Sequence, residues 1–147
     1  MPTVAHYHRE ITPSEIKDLV GISPFIIEIG CNDGEDTEAM LNVMPGAHFH
    51  CFEPEQRALA RFRLRDHPQV VLHECGVTHR LGTAQFWPST GDIPGSTAPC
   101  KHDWDYSGGF SRPTGHLIRD KLVQFKEPIE VPTTTLDYFY DEYQHPI

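Results

Sequence analysis

The first half of the chain alternates between continuous apolar runs, which predict strands, and segments with apolar residues at helical spacing, which predict helices. In chain order these are a helix at 12–21, a strand at 25–29, a helix at 35–43, a strand at 47–52, a helix at 54–65 and a strand from residue 70. Such alternation favours an α/β fold with parallel strands joined by right-handed crossovers. The first run, at 25–29, is apolar except for Glu28. A nearly continuous apolar run is typical of a strand buried on both faces.

Residues suited to helix capping mark the start of two helices. Thr12 can cap the first helix, with Pro13 at its first position and Glu15 completing a capping box. Near the other end of the chain, Thr135 can cap a final helix at 136–143.

The second half of the chain is less regular. Segments 77–78 and 84–87 predict a hairpin, and 129–132 predicts a further strand. Residues 116–126 fit either a short helix or an irregular strand. Residues 88–115 contain five Gly, four Pro and four Ser without periodicity, so we expect a long loop that is either functional or disordered.

The length of 147 residues supports one domain with one modest core. We expect a flexible N-terminus at 1–11 and a single domain at 12–147. With 12 Lys and Arg against 21 Asp and Glu, the net charge is −9. This balance argues against nucleic acid and anionic membrane surfaces as partners.

The sequence carries no signal for a membrane or for export. It has no stretch of 18 uncharged apolar residues, and its first residues lack the basic and apolar regions of a signal peptide. Four Cys in such a chain favour reduced thiols over a disulfide framework. These features together predict a cytoplasmic protein.

A glycine turn follows the first predicted strand, and an acid ends the second. Gly30 and Gly34 flank the turn with Asn32 between them, and glycine there permits a positive φ and close approach of a ligand. In an open α/β sheet this turn lies at the carboxyl edge, where ligands bind. Glu53 lies 19 residues beyond Gly34 and can accept hydrogen bonds from both hydroxyls of a ribose.

The charges around this turn distinguish between nucleoside cofactors. The turn lacks the G-x-G-x-x-G spacing of dinucleotide sites, and Asp33, Glu35 and Asp36 at the helix start would repel a pyrophosphate. S-adenosylmethionine has no phosphate and carries a sulfonium and an ammonium. An acid-rich turn therefore favours S-adenosylmethionine, and an NAD-dependent enzyme is the weaker alternative.

Several short motifs resemble those of the FkbM-type methyltransferases, over roughly residues 22–143. The turn matches the family's E-x-G-x-N-x-G-x-x-T signature, and further matches are F-E-P at 52–54, G-V at 76–77 with Gly82 and Phe86, the small residues 95–97, and V-x-x-x-T-L-D at 131–137. The resemblance implies a Rossmann-like class I methyltransferase sheet and S-adenosylmethionine as donor. It also implies a hydroxyl acceptor on a small molecule or a glycan.

Carried onto this chain, the resemblance assigns cofactor-binding residues. Glu53 would hold the ribose, Gly30, Asn32 and Gly34 the methionine part, and Glu28 would face its ammonium. The full predicted set is Glu28, Gly30, Cys31, Asn32, Gly34, Thr37, Glu53, Cys75 and Gly76.

The chain departs from the family pattern near its end. The family continues with a strand carrying K-x-D-x-E-G, whereas this sequence stops at Ile147. We therefore expect a sheet truncated after the third strand plus a hairpin and a long loop, with an uncovered apolar edge beside the first strand. Such an edge predicts a homodimer or a partner chain. The alternative function is a non-catalytic, cofactor-binding or partner-dependent half-domain.

No residue is selected as the catalytic base that a hydroxyl acceptor needs. The candidates are His102, Asp103, Asp105 and His116.

No metal site is predicted. Cys31, Cys51 and Cys75 follow or end neighbouring strands, where they fit small buried hydrophobic residues better than a metal or redox cluster. His48 and His50 are expected on one partly exposed face of the second strand, without further converging ligands.

Overall fold

The computed structural model describes residues 11–115 and 121–143, which form a mixed α/β fold. The helices are α1 (Pro13–Val20), α2 (Glu35–Val43), α3 (Gln56–Leu59) and α4 (Leu136–Tyr143). The strands are β1 (Phe25–Ile29), β2 (His48–Phe52), β3 (Val70–His73), β4 (Gly76–Val77), β5 (Gly82–Phe86), β6 (Ser89–Thr90), β7 (Gln124–Phe125) and β8 (Ile129–Thr134). The predicted flexible N-terminus lies, except for residue 11, outside the described residues.

The first three strands form a parallel sheet in the order β1-β2-β3, which confirms the predicted alternation. α1 begins with the predicted capping box at Thr12 and Glu15, and the Thr135 hydroxyl accepts the Tyr138 amide at the start of α4. The core cluster includes Phe49 and Cys51 of β2, both fully buried. The sheet thus brings the carboxyl ends of β1 and β2 to one edge.

The prediction that β1 is buried on both faces is wrong. Phe25, Ile27 and Ile29 are 42%, 39% and 54% exposed. Within the described ranges β1 pairs with β2 alone, so it is an edge strand. These three side chains lie on the same face of the sheet as His50 of β2. Phe139 of α4 packs on His50, with ring centroids 5.0 Å apart, but β1 beside it stays exposed.

The predicted hairpin is also wrong, because β8 lies between its two arms. β4 pairs with β8 in parallel and β5 pairs with it antiparallel. Gly76 and Gly82 both stand opposite Thr133, and the connection between them turns where the Thr78 hydroxyl donates to the Arg80 carbonyl at 2.9 Å. The six-residue β8 offers both of its edges, which satisfies more backbone groups than direct pairing with two-residue β4 could.

The predicted helix at 54–65 is limited to α3. Beyond Ala60 the Arg61 and Phe62 amides donate to carbonyls three residues back rather than four. The Arg63 amide then leaves the helix and donates to the Asp33 carbonyl at 3.0 Å. A tertiary bond to the glycine turn therefore replaces the next helical turn, and Phe62 packs beneath Gly34.

Segment 88–115 is largely irregular, as expected, but it is tied to the rest of the fold. β6 pairs with β7, and Trp87 bridges Gly109. Cys100 and Asp105 are buried. Residues 116–120 of the predicted helix or strand at 116–126 lie outside the described residues, and the remainder contains β7.

Candidate cofactor site

A cavity of about 200 Å³ opens where β1 and β2 end. The glycine turn forms one wall, the Glu53-Pro54 step a second, and part of segment 88–115 a third. The residues around it are Ile29, Gly30, Asn32, Phe52, Glu53, Pro54, Gly76, Val77, Phe86, Asp105, Tyr106, Gly108, Gly109 and Phe110. The cavity is polar beside Asn32, Glu53 and Asp105 and apolar beside its three phenylalanines.

The glycine turn adopts left-handed backbone at three positions. φ is +81° at Gly30, +48° at Asn32 and +82° at Gly34. Two amides, of Gly30 and Cys31, donate to the Phe52 carbonyl at 2.8 and 3.2 Å, which fixes the turn against the end of β2. Asn tolerates this conformation better than most residues because its side chain bonds locally, here accepting the Asp33 amide at 2.8 Å.

Glu53 is a buried carboxylate held by backbone amides. It is 5% exposed, and its Oε2 and Oε1 accept the Asn32 and Glu55 amides at 2.9 and 2.8 Å. Burial raises the pKa of Glu53, the two amides oppose that rise, and the charges of Glu55 and Asp105 add to it. Each carboxylate oxygen can accept more than one hydrogen bond, so Glu53 keeps capacity for ligand hydroxyls.

Asp105 brings a second carboxylate to the cavity from segment 88–115. Its side chain is fully buried and its Oδ2 lies 2.7 Å from Arg61 Nη2. Its Oδ1 accepts Asn32 Nδ2 at 3.5 Å. The irregular segment is thereby joined to the glycine turn.

Aromatic residues close the apolar end of the cavity. Phe110 packs edge-on against Phe86, with ring centroids 5.3 Å apart. A Cβ added at Gly76 would lie 2.1 Å from Phe110 Cζ, so only glycine fits this position without moving the ring. Arg61, which binds Asp105 at the cavity, escaped the sequence analysis because no periodicity or motif marks it.

The amino-acid sequence is similar to known methyltransferases over most of its length. The family model described as the methyltransferase FkbM domain matches residues 28–147. The chain belongs to the FkbM methyltransferase family. It is also 39% identical over 137 residues to the 2-O-methyltransferase NoeI of Sinorhizobium fredii, which covers 92% of this chain and 52% of that protein. The chain thus spans about half the length of the curated relative that it matches.

Of the residues that the FkbM resemblance assigned to the cofactor, the structure brings Gly30, Asn32, Glu53 and Gly76 together at the cavity. Gly34 lies behind the turn, against Phe62.

Glu28 lies elsewhere, with Thr37. Thr37 Oγ1 donates to Glu28 Oε2 at 2.6 Å, and Cys51 Sγ donates to the same oxygen at 3.8 Å. Burial raises the pKa of Glu28, and the nearby charge of Asp36 adds to this, while the two side-chain hydrogen bonds oppose it. Glu28 borders a separate depression beside α1 and α2 that includes Ile16. Its predicted contact with the donor ammonium stays a prediction.

The cysteines behave as small buried hydrophobic residues. Cys31 and Cys51 are buried, and a hydrogen bond between their thiols, with burial, strongly raises the pKa of Cys31. Burial also raises the pKa of the half-buried Cys75. Neither Cys31 nor Cys75 lines the cavity.

His50 corrects another expectation. It is 6% exposed rather than on a partly exposed face, since its Nδ1 lies 2.9 Å from His73 Nε2 and Phe139 covers it. Within residues 11–115 and 121–143, no group of three His, Cys, Asp or Glu side chains could hold a metal ion. No helix in these ranges is long and apolar enough to span a bilayer.

The four candidate bases separate clearly. Of the three that the structure describes, Asp105 alone lines the cavity. Asp103 is bound by Thr90, Arg57 and Lys126, which hold its pKa well below the usual range and remove it as a base.

His102 does not line the cavity. His102 is 74% exposed and lies 3.1 Å from Asp92. His116 lies outside the described residues.

Proposed function

We propose that this protein is an S-adenosyl-L-methionine-dependent methyltransferase that methylates a hydroxyl of a small-molecule or glycan acceptor. Membership of the FkbM family supports methyl transfer, and the name of the 2-O-methyltransferase relative supports oxygen as the acceptor atom. The single observation that carries the donor is the buried Glu53 carboxylate, held at the end of β2 in a cavity lined by two acids.

The chemistry of the lining suits a cationic nucleoside. Glu53 would accept the ribose hydroxyls, and the Gly30–Asn32 backbone would lie along the methionine part. Phe86 and Phe110 offer aromatic contacts to a purine base. No basic side chain lies among the described residues that line the cavity, which favours a sulfonium over the diphosphate of NAD.

The other predicted cofactor residues are assigned supporting roles. We infer that Gly34 keeps the turn packed on Phe62, and that Glu28 with Thr37 ties the end of β1 to α2. Cys31 and Cys75 would fill space behind the cavity. Reduced, buried thiols of this kind also fit a cytoplasmic protein.

When bound, the donor supplies an electrophilic methyl group, and the chain must then orient an acceptor hydroxyl and take up its proton. Asp105 is the candidate base that the cavity favours. Its Oδ2 is paired with Arg61 Nη2 at 2.7 Å.

The parallel sheet suggests which part of a methyltransferase fold these strands form. We infer that the parallel β1-β2-β3 sheet is the donor-binding part of a Rossmann-like sheet within a single domain at 12–147. Within the described residues β1 pairs with β2 alone and its apolar side chains are partly exposed, so its outer edge would take a further strand, from a second copy or another chain. The same observation favours the second candidate, a half-domain that binds the donor and turns over only with a partner.

Transfer of the tritiated methyl group from S-adenosyl-L-[methyl-³H]methionine to an acceptor tests the proposal. The protein would be incubated with methyl glycosides of common monosaccharides and with short oligosaccharides. Label in the glycan fraction would support O-methylation. Donor binding without transfer would favour the half-domain, and the oligomeric state measured by light scattering would show whether a second copy covers β1.

A further inference from the structure

Two buried carboxylates face one small cavity, which is an unfavourable arrangement unless something offsets it. Glu53 and Asp105 are each 5% exposed. Their partners differ in kind. Glu53 is held by two neutral backbone amides, whereas Asp105 is held by a guanidinium.

Arg61 lies just beyond α3, in the turn at 60–63 that replaces the rest of the helix predicted at 54–65. One of its terminal nitrogens donates to the Arg57 carbonyl at 2.9 Å and the other to Asp105 at 2.7 Å. Its buried Nε finds no partner within the described residues. The guanidinium is thus held in the orientation that binds Asp105, and its Nε loses a hydrogen bond in return.

The contacts continue from Asp105 into the glycine turn. Asp105 accepts the Asn32 side-chain amide, and the Asn32 backbone amide donates to Glu53. Arg61, Asp105, Asn32 and Glu53 therefore form a continuous row from the end of α3 to the floor of the cavity.

We propose that Arg61 is a positioning residue of the donor site, which holds Asp105 against Asn32 and offsets its charge so that Glu53 binds the donor as a carboxylate. This inference rests on the proposed function, because it concerns the same donor. It assigns a role to two residues outside every recognised motif.

Other titratable groups near the two carboxylates must be considered. Glu53 is also faced by Glu55, which Arg57 binds at 3.0 Å, and by the Cys31 thiol. These groups stay unchanged in the variants below, so they contribute equally to each measurement.

Asp105 is faced by Cys100 and Tyr106 in addition to Arg61. Burial raises the pKa of Tyr106 to about 12, so this phenol stays neutral over the range tested. The pKa of Cys100 is also raised, mainly by burial, so its thiol stays protonated there as well.

The test is the pH dependence of affinity for S-adenosylhomocysteine, measured by calorimetry on the full chain. Glu53 accepts hydrogen bonds from the ribose hydroxyls as a carboxylate. The affinity for S-adenosylhomocysteine therefore falls as the pH drops through the raised pKa of Glu53. Removing the positive charge with Arg61→Gln leaves Asp105 uncompensated and moves that midpoint up. We expect a shift of about one pH unit, or about tenfold weaker binding on the acid side of the parent midpoint.

Two further variants should shift the pH midpoint of affinity differently from Arg61→Gln. Asp105→Asn removes the second carboxylate, so its midpoint lies below that of the parent protein. The Arg61→Gln/Asp105→Asn double variant returns towards the parent midpoint. If Arg61→Gln does not fold, Asp105→Asn is compared with the double variant, because these two proteins differ only in Arg61 and a lower midpoint for Asp105→Asn reports the charge of Arg61.

The controls separate positioning from simple stabilisation. Arg61→Lys keeps the charge and should keep the parent midpoint. Arg65→Gln removes an exposed arginine of the same segment, paired with Glu74 at 2.7 Å, and should also leave it unchanged. Coincident midpoints in all variants, even with lowered thermal stability, would overturn this inference alone. No binding by the parent protein at any pH would overturn the proposed function, and this inference with it.

Discussion

The two glycines that flank the turn have the same backbone conformation but different surroundings, so alanine should affect them differently. At both positions the left-handed backbone costs a Cβ about 1 kcal/mol. At Gly30 the added Cβ meets nothing within 4 Å. At Gly34 it lies 3.0 Å from the ring of Phe62, which is 7% exposed in the core, so overpacking adds about 1–3 kcal/mol.

Urea denaturation of the two variants tests this reasoning. We expect losses in the free energy of unfolding of about 1 kcal/mol for Gly30→Ala and about 2–4 kcal/mol for Gly34→Ala. Gly95→Ala is the control, since Gly95 has φ +83°, open space and no place at the cavity. Affinity for S-adenosylhomocysteine should show the reverse order, because Gly30 lines the cavity and Gly34 does not. Equal stability losses at the two positions would refute the packing argument.

The remaining predictions concern the wall, the sheet and the long segment. Gly76→Ala should displace the Phe110 ring and weaken S-adenosylhomocysteine binding about tenfold or more, as calorimetry would show. Burial lowers the pKa of His73, so its contribution to stability is present above the unfolded pKa of about 6.5 and is lost as the pH falls below it. Thermal melts from pH 8 to 5 should therefore be less pH-dependent for His73→Gln. Asp103→Asn should loosen segment 88–115 and speed its cleavage by trypsin, whereas Asp92→Asn, at an exposed pair, should not.

The first half of the fold could be predicted because its signals are local. The run at 25–29, the glycine turn and the pattern at 35–43 each specify a conformation from neighbouring residues, and the structure confirms all three elements. Glu53 could be placed at the cavity for the same reason, since the order strand, turn, helix, strand brings the ends of β1 and β2 together.

The errors arose where a distant segment decides the structure. β4 and β5 are separated by β8, which lies more than 40 residues away in sequence. α3 ends early because the Arg63 amide bonds to Asp33. Local patterns contain no information on either contact.

The same limit applies to the site. Asp105 and Phe110 reach the cavity from a segment without periodicity, fixed by β6, β7 and the ion pairs of Arg57 and Arg61. Sequence could offer Asp105 only as one of four candidate bases. Its contact with Asn32 is a property of the folded chain alone.

The most direct test of the account is calorimetric titration of the full chain with S-adenosylhomocysteine at about pH 8, far above the ordinary pKa of a glutamate. The account predicts one site per chain and a loss of about tenfold or more in affinity for Glu53→Gln, because an amide cannot accept hydrogen bonds at both positions. Glu74→Gln, at an exposed acid away from the cavity, should bind as the parent protein does. No heat of binding for the parent protein, or equal affinity for Glu53→Gln, would contradict the central claim that Glu53 holds the methyl donor.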